Sequence, residues 1–362
     1  MPTPRLLWIM PQHPAPSERW MHRMLHLLPP DHLHAIAIQK SPQKPTDSVG
    51  STPPPAPLIT HDQIESHLPD ITHVLVHYLP LALKLESLWQ QTNAKLLAHA
   101  HGYDVTWNRV RPETNQPHHP PDYEANVRRL AQRATLIANS TPTQRALESI
   151  GVPPDRIALK PLSVTIPTTT KTHTNDHPHH PLTFLYLGRL IDFKGPDLTI
   201  QAFQRAKQLG LPPNTQLVLA GDGPLMPRCQ QLASGDKNIQ LLGPVDADTA
   251  DQLLQHADIA VWHHQTGPVT QQVEAFGVAL LEAMAHQLPI ASTPSGNLPH
   301  LITPGSNGLL TPTHDLDAQA QALVQLAHDP ALRQRLGNAA RQHVAAHYTP
   351  DHERQALLQL LS

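Results

Sequence analysis

The sequence predicts an α/β fold made of two Rossmann-like, doubly wound domains that face a central cleft. The chain has 362 residues, which is more than a single hydrophobic core usually serves, so two domains are expected. Short apolar segments alternate with amphipathic ones along the chain, the pattern of parallel sheets with crossover helices. A polar, turn-rich stretch at 165–181, TIPTTTKTHTNDHPHHP, interrupts this alternation near the middle.

In the first half, six short apolar runs bounded by turn formers indicate buried strands, and amphipathic segments between them indicate helices. The first domain is therefore expected over 1–164, followed by an interdomain linker over 165–181. The predicted strands are RLLWIM, LHAIAIQ, THVLVHYL, AKLLAHA, ATLIANS and IALKPL, and the predicted helices span 18–28, 80–91, 122–133 and 142–150.

The second half repeats the same architecture and predicts a second domain over 182–346. Residues 347–362 are expected to form a C-terminal helix that packs back on the first domain. The predicted strands are LTFLYLG, TQLVLAG, IQLLGPV, DIAVWHH, PIASTPS and GLLTP, and the predicted helices span 196–209, 224–233, 247–256, 278–286, 316–327 and 330–345.

Composition excludes several classes of function. The 26 basic and 29 acidic residues give a formal net charge of −3, and no basic block matches a nucleic-acid backbone, so no nucleic acid is expected as a partner. The longest apolar runs are far shorter than the ~20 residues of a bilayer span, and no secretory signal is recognisable, so a cytoplasmic protein is expected. The one cysteine, Cys229, excludes an internal disulfide framework and is interpreted as structural.

Ligands of open α/β sheets bind beyond the carboxyl ends of strands, so the loops at those ends are the candidate sites. In LYLGRLIDFKGPD a predicted strand ends at Gly188, and the next loop carries Arg189 and Lys194 before a helix begins. Two cations beside a helix N-terminus favour an anion such as a diphosphate. Taken alone, the motif equally fits an ordinary loop with two solvated charges.

A second candidate is EAFGVALLEAMAHQLP, in which Glu274 precedes a glycine turn and Glu282 lies about one turn into a helix. Carboxylates accept hydrogen bonds from vicinal hydroxyls, so one could hold a pyranose and the other a ribose. Gly277 permits close backbone approach, and the amides of Gly277, Val278 and Ala279 are expected to point into the cleft. Either glutamate alone is better explained as an ordinary loop or surface residue.

The third candidate is HAHGYDVTW, in which the predicted strand AKLLAHA leads into His101, Gly102 and Asp104. A histidine and an aspartate around a tight turn at a strand end suit a catalytic loop, and Gly102 permits the bend. Because the chain has 27 histidines, only its position distinguishes His101.

Taken together and in order, these stretches resemble the family 4 glycosyltransferases, retaining enzymes of the GT-B-type fold that use nucleotide sugars. The match is strong over 183–345 and thinner, though in order, before it. The resemblance implies a hexosyltransferase that moves a sugar from a nucleoside diphosphate sugar to a glycan, lipid-linked or small-molecule acceptor in polysaccharide or glycoconjugate biosynthesis. The matching segments are HGYD, LGRLIDFKGPD, LAGDGP, LLGPV, DIAVW, EAFGVALLEAMAHQLPIAST and NGLLTP.

The resemblance also implies roles for individual residues in donor binding. Arg189 and Lys194 would neutralise the donor diphosphate, and Glu282 would bind the ribose. The remaining implied contacts, to the transferred sugar, come from Glu274, Phe276, Gly277 and Val278.

The catalytic set implied by the resemblance is His101, Asp104 and Glu274, with His101 reaching the donor sugar from the first domain. Breaking the anomeric bond leaves negative charge on the diphosphate, which fixed cations and helix amides can stabilise. No Asp-x-Asp triad stands at a predicted strand end, so no metal and no other cofactor is expected. Retention of anomeric configuration is implied by the resemblance alone.

Two segments depart from the family pattern. The glycine-rich loop expected after the first strand is replaced by MPQHPAPSERW, and the GG-x-P-E pattern appears as SGNLPHL. Asn297 replaces the second glycine and His300 replaces the glutamate. The acceptor side and the donor contacts of 295–300 are therefore expected to differ from the family pattern.

Three further interpretations stay open. A nucleotide-sugar epimerase of the same architecture would show the same motifs. The histidines of HHPP at 118–121 and HTNDHPHH at 173–180 leave open a metal-binding protein, although proline-rich loops hold zinc poorly. The stretch RWMHRMLHLL at 19–28 could make a peripheral contact with the inner face of a membrane, although a core-packing helix explains it better.

Overall fold

The chain forms two compact units in a computed structural model that describes residues 3–11, 19–38, 54–106, 110–111, 116–117, 119–169 and 181–362. Unit 1 comprises Met1–Leu162 and Pro350–Ser362, and unit 2 comprises Ser163–Thr349. Of the sequence-predicted linker, 165–169 lies in unit 2, and 170–180 lies outside the described residues.

Unit 1 is built on a parallel sheet of seven strands, in which both faces of the central strands are buried. Unit 1 has nine described strands, seven of which form this sheet: β1 (Leu6–Met10), β2 (Leu33–Ile38), β3 (Leu58–Thr60), β4 (His73–His77), β5 (Lys95–Ala100), β6 (Val110–Arg111), β7 (Gln116–Pro117), β8 (Ala134–Ala138) and β9 (Ile157–Leu159). The sheet order is β3-β2-β1-β4-β5-β8-β9, while β6 and β7 form a separate antiparallel pair. The chain therefore changes direction of winding between β1 and β4, where open α/β sheets bind their ligands.

Unit 2 repeats this plan with six strands. They are β10 (Leu182–Leu187), β11 (Thr215–Ala220), β12 (Ile239–Gly243), β13 (Ile259–Val261), β14 (Ile290–Ser292) and β15 (Leu309–Leu310). The parallel order is β12-β11-β10-β13-β14-β15, so the winding changes direction between β10 and β13. Two doubly wound, Rossmann-like sheets confirm the predicted fold class.

Helices cover the sheets and follow the predicted segments, with one division: the segment 80–91 is split into two helices at Leu85. No helix among the described residues is long and apolar enough to cross a membrane. The described helices are α1 (Arg19–Leu25), α2 (Ile64–His67), α3 (Leu79–Lys84), α4 (Glu86–Trp89), α5 (Tyr103–Thr106), α6 (Tyr123–Ala131), α7 (Thr141–Ser149), α8 (Pro196–Gln208), α9 (Met226–Ala233), α10 (Ala247–His256), α11 (Val278–Ala285), α12 (Leu298–Leu301), α13 (Leu316–His328), α14 (Pro330–His347) and α15 (Pro350–Leu360).

The C-terminal helix α15 belongs to unit 1. Leu357 and Leu361 join the apolar cluster that covers one face of the unit 1 sheet. Beside them Lys160, fully buried, donates to the Glu353 carboxylate and lies 3.1 Å from the Met24 sulfur. Apolar packing and one buried ion pair therefore hold the end of the chain against the sheet.

Helix α1 packs into the same cluster. Met21, Met24 and Leu25 are buried in it, and Leu28 follows just after the helix. The apolar residues of the stretch 19–28 thus form part of the core of unit 1, as the core-packing interpretation of this segment requires.

Candidate active site

Two loops at the carboxyl ends of β10 and β11 lie against each other in unit 2. The amide of Leu190 donates to the carbonyl of Asp222 over 2.9 Å, and the amide of Leu225 returns to the carbonyl of Leu190 over 2.9 Å. A Cβ placed on Gly221 would lie 1.8 Å from the carbonyl oxygen of Gly188. The LGRL and LAGDGP motifs therefore need glycine because their backbones touch.

Asp192 anchors a third loop to this pair. Its carboxylate accepts hydrogen bonds from the amides of Val269 and Thr270, both at 2.8 Å, and from the Thr270 hydroxyl at 2.7 Å. This aspartate was not singled out by the sequence. Its role is to fix the segment after β13 beside the loop that carries the predicted diphosphate ligands.

The start of α8 is tied to the end of β13. Gly195 adopts φ 55°, and a Cβ there would lie 2.0 Å from the carbonyl oxygen of His263. The Thr199 hydroxyl accepts from the amide of His263 at 3.0 Å and donates to the carbonyl of Gly195 at 2.9 Å. Lys194, one residue before Gly195, is thereby placed at the switch point of the sheet.

At that point Lys194, Glu274 and His264 form one buried cluster. The ammonium of Lys194 donates to the carboxylate of Glu274, and His264 Nε2 lies 3.2 Å from the same carboxylate oxygen. The Nδ1 atom of His264 lies 3.1 Å from the hydroxyl of Ser292, at the end of β14. Since the carboxylate can only accept, Nε2 carries the proton, and Nδ1 accepts from the serine.

The electrostatics of the cluster favour an ionised glutamate. Burial alone would raise the pKa of Glu274, but Lys194 and His264 outweigh it and hold that pKa well below its ordinary value. Burial lowers the pKa of His264, although its hydrogen bond to Glu274 opposes the shift. The cluster near neutral pH is therefore an ammonium, a carboxylate and a neutral imidazole.

Arg189 lies beside this cluster and is exposed. Its guanidinium carbon is 5.8 Å from the ring centroid of the buried Phe193, and the Lys194 ammonium is 5.4 Å from the same centroid. The two predicted diphosphate ligands thus flank one aromatic ring. Among the described residues Arg189 makes no ion pair, whereas Lys194 is paired with Glu274.

The departure at Asn297 has a structural explanation. Its amide donates to the carbonyl of Glu274 at 2.8 Å, and its side-chain amide donates to the carbonyl of Phe276 at 3.0 Å. The preceding Gly296 has φ 51°, and a Cβ there would lie 2.0 Å from the carbonyl oxygen of Glu274. The segment 295–297 therefore holds the Glu274 loop by its backbone, while His300 is exposed.

The remaining predicted donor residues surround the start of α11. Gly277 has φ 98° and precedes the helix, which begins at Val278 without a side-chain cap. Glu282 lies in the second turn and is partly exposed. Phe276 is buried, with its ring 6.0 Å from that of Tyr348, so its ring packs in unit 2 and only its backbone is left for a ligand.

The other two predicted catalytic residues, His101 and Asp104, meet in unit 1. The Asp104 carboxylate accepts from the amide of His101 at 2.8 Å and from the amide of Leu79 at 3.1 Å. Burial raises the pKa of Asp104 to about 6, although these amides oppose the rise. Its visible role is to hold together the loops after β4 and β5.

His264 is the member of the Lys194–Glu274–His264 cluster that sequence reasoning passed over. Its signal was present, because it ends the segment DIAVWHH beyond a predicted strand. With 27 histidines in the chain, that position did not distinguish it.

Comparison with known proteins gives a consistent picture. Residues 168–343 match the family model described as glycosyl transferases group 1. The GDP-mannose-dependent monoacylated alpha-(1-6)-phosphatidylinositol monomannoside mannosyltransferase of Corynebacterium glutamicum is 28% identical over 285 residues, which cover 75% of this chain and 70% of that protein. The D-inositol 3-phosphate glycosyltransferase of Pseudarthrobacter chlorophenolicus is 30% identical over 274 residues, or 71% of this chain and 62% of that protein. The putative colanic acid biosynthesis glycosyltransferase WcaL of Salmonella typhimurium is 28% identical over 231 residues, and this chain covers 54% of it.

Solved structures match over nearly the whole chain. Anabaena HepE in complex with UDP and glucose superposes with a TM-score of 0.79 at 17% identity, covering 99% of both chains. The sucrose-phosphate synthase of Thermosynechococcus elongatus gives a TM-score of 0.74 at 19% identity, covering 98% of both chains. At such identities the likeness shows the fold, which is that of the GT-B glycosyltransferases. Family model, sequence relatives and fold agree with the sequence motifs in supporting a nucleotide-sugar glycosyltransferase, and it is residues 168–343 that match the group 1 glycosyltransferases.

Proposed function

We propose that this glycosyltransferase moves a hexose from a nucleoside diphosphate sugar to its acceptor with retention of configuration and without a catalytic metal. The observation that carries the proposal is the buried cluster of Lys194, Glu274 and His264 at the switch point of unit 2. A fixed cation and a fixed anion side by side suit a ligand that has both a charged diphosphate and a hydroxylated sugar.

The diphosphate end is held by positive charge. A lysine ammonium has three N–H donors, so its bond to Glu274 leaves Lys194 able to donate to a phosphate as well. Arg189 adds a second cation, and the uncapped start of α11 adds backbone amides. These groups stabilise the charge that develops on the leaving diphosphate, the task that a divalent cation performs in other enzymes.

The sugar end is held by Glu274. Because its pKa is held below the ordinary value, Glu274 is ionised near neutral pH and accepts hydrogen bonds from sugar hydroxyls. His264 donates to the same carboxylate from a buried position and fixes its orientation. We assign His264 as a positioning residue, and we propose that His101 contacts the donor sugar, the role that the sequence resemblance implies for it.

The acceptor belongs to polysaccharide or glycolipid assembly in this proposal. Its support is the names of the relatives, which include colanic acid and amylovoran biosynthesis glycosyltransferases and phosphatidylinositol mannoside mannosyltransferases. Acceptors of this kind lie at a membrane. Since the apolar residues of α1 are buried in unit 1, we propose that any peripheral contact uses other residues.

A thermal-shift panel of nucleoside diphosphates tests donor binding. A ligand at a hundred times its dissociation constant stabilises by about 2.7 kcal/mol, and comparing UDP with GDP identifies the base. Arg189→Ala and Lys194→Ala are expected to reduce the shift, whereas Lys207→Ala, which removes a lysine paired with Asp236, should leave it unchanged. If no nucleoside diphosphate stabilises the protein, or if all three variants respond like the wild type, the assigned site is wrong.

Incubation with sugar nucleotides tests the reaction. Transfer to added acceptor should release nucleoside diphosphate, and the rate should not fall when EDTA removes divalent cations. Formation of an epimeric sugar nucleotide without released diphosphate would instead establish the epimerase. A product of inverted anomeric configuration, read by its NMR coupling constant, would contradict retention.

A further inference from the structure

Three histidines of unit 1 converge at the ends of β4 and β5. His77 is the last residue of β4, His99 is its register partner on β5, and His101 follows β5. Among the described residues they form a group in which one ring nitrogen from each lies within 4.8 Å of the others. His77 Nδ1 and His101 Nε2 are 3.0 Å apart.

This spacing is close to that of a metal site. Two nitrogens bound to one tetrahedral Zn²⁺ at about 2.0–2.1 Å lie about 3.3–3.4 Å from each other. The closest pair, at 3.0 Å, is a few tenths of an ångström shorter than that separation, and a pair at the 4.8 Å limit has to close by about 1.4 Å through side-chain rotation.

The histidine rings are poorly satisfied by the protein itself. Four of their ring nitrogens are buried without a hydrogen-bond partner: His77 Nε2, both nitrogens of His99, and His101 Nδ1. His77 and His99 are fully buried, so these atoms cannot turn to solvent. More than about nine in ten buried polar groups are paired, so His99, a fully buried imidazole with neither nitrogen paired, points to a missing ligand; His77 and His101 each already pair one nitrogen with the other.

The surroundings keep the lone pairs available. Burial lowers the pKa of all three histidines well below 6.5, so the rings are neutral, the form that binds metals. Lys160 adds an unfavourable positive potential, but its buried ion pair with Glu353 offsets that charge.

Aromatic rings enclose the histidine group. Trp8 lies 4.8 Å from His77 between ring centroids, and Trp20 and Tyr78 each lie 4.6 Å from His101. His101 is only partly buried, so an ion would enter from its side.

We propose that His77, His99 and His101 bind one divalent transition-metal ion of the Zn²⁺ class. Three neutral imidazoles select Zn²⁺, Co²⁺, Ni²⁺ or Cu²⁺ over Mg²⁺ and Ca²⁺, which prefer oxygen ligands. They leave a fourth position for water or an outside ligand.

The bound ion also restrains the transferase. His101 cannot hold a metal and a donor sugar with the same nitrogen, so the metal-loaded protein transfers more slowly, and EDTA restores the rate. This consequence rests on the proposed function. Metal binding does not rest on the proposed function, so the metal site and the proposed function can fail independently of each other.

Cobalt titration of the full chain tests the site, because tetrahedral Co²⁺ absorbs strongly in the visible and octahedral Co²⁺ only weakly. All measurements use a background chain in which His118, His119 and the histidines of 173–180 are changed to Gln, so that those histidines contribute nothing. We expect one tetrahedral Co²⁺ per chain, displaced by Zn²⁺ and not by Mg²⁺.

Variants in the same background locate the ion. His99→Gln and, separately, the less buried His101→Gln should each weaken binding by at least about tenfold, because even outer-shell partners of a metal site contribute that much to affinity. His34→Gln is the matched control, since His34 and His67 also meet at 3.0 Å through ring nitrogens but are not part of a three-ligand group. Circular dichroism confirms that each variant is folded.

Absence of saturable binding, a weak octahedral spectrum, or binding that persists in folded His99→Gln and His101→Gln would overturn the proposal. Should both variants fail to fold, zinc-edge X-ray absorption on the background chain decides: three imidazole ligands support the site, and fewer refute it.

Discussion

Glu274→Gln separates the two roles that the buried cluster of unit 2 combines. The carboxamide keeps the size of the side chain and can still accept from His264, but it no longer compensates the charge of Lys194. The two partner side chains are only 14% and 9% exposed. Removing one member of a buried ion pair costs about 3–5 kcal/mol, and because glutamine keeps one acceptor, the lower end, about 3 kcal/mol, is expected in urea denaturation.

In Glu274→Gln, binding of the diphosphate half of the donor and binding of its sugar half should change in opposite directions. Without the carboxylate, the charge of Lys194 is no longer neutralised, so the affinity for nucleoside diphosphate, measured by calorimetry, is expected to increase. A hydrogen bond to a charged acceptor contributes about 1.5–3 kcal/mol. Losing such a bond to the sugar lowers kcat/KM by roughly 10- to 150-fold, measured as diphosphate release in the presence of acceptor.

The stability difference should also depend on pH with a defined sign. Because Lys194 and His264 hold the pKa of Glu274 below its ordinary 4.5, its stabilisation is present above that value and is lost as the pH falls below it. The gap between wild type and variant therefore narrows below about pH 4.5. Glu86→Gln, which breaks an exposed pair with Arg129, is the control and should cost at most about 1 kcal/mol. Loss of diphosphate affinity in parallel with transfer, or a stability gap independent of pH, would refute this assignment of roles.

Three further outcomes follow from other parts of the structure. Glu353→Ala should lower the free energy of unfolding by about 3–5 kcal/mol, because it leaves Lys160 buried without its counter-ion. A double variant with Glu353→Leu and Lys160→Met should recover most of the loss. A double variant no more stable than the single one would contradict this. Gly296→Ala should destabilise the protein by more than the roughly 1–2 kcal/mol expected of left-handed backbone alone, because its Cβ would meet the carbonyl oxygen of Glu274. The control is Gly210→Ala, which has φ 108° and open space around its Cβ and should show only the backbone effect. Burial lowers the pKa of His264 below 6.5, so as the pH falls through that value this histidine is protonated in the unfolded chain but stays neutral in the folded one. Between about pH 7.5 and 5.5 the wild type should therefore lose more stability in urea denaturation than His264→Gln. Equal losses would show that His264 is not buried and neutral.

The sequence predicted the sheets well because their central strands are buried on both faces and read as nearly continuous apolar runs. The short strands β3, β6 and β7 were not predicted, because each lies next to or includes a proline and none stands within a longer apolar run. The candidate loops were found because strand ends can be located from sequence. The pairing of Lys194 with Glu274 was not predicted, because the two residues lie 80 positions apart and meet only where the winding of the sheet changes direction, between β10 and β13.

The histidine group of unit 1 illustrates the same limit. His101 was recognised by its loop, but His77 and His99 lie inside strands, where alternation assigns them only to a buried position. Their convergence follows from the parallel register of β4 and β5, which sets His77 opposite His99. Sequence therefore locates residues along strands, while strand pairing decides which of them share a site.

With the proposed function, the opposite charges of Lys194 and Glu274 affect how tightly the diphosphate product is held, and therefore turnover. In the donor complex the sugar hydroxyls donate to Glu274 and screen its charge from the diphosphate. After transfer the sugar has left, and the ionised carboxylate again neutralises Lys194 and repels the remaining diphosphate. Glu274 thus favours the donor over the product that competes with it, an effect that an electrically neutral sugar-binding residue would lack. The tighter diphosphate binding expected of Glu274→Gln should accordingly appear as stronger product inhibition in the residual transfer reaction, and unchanged inhibition would show that Glu274 acts on the sugar alone.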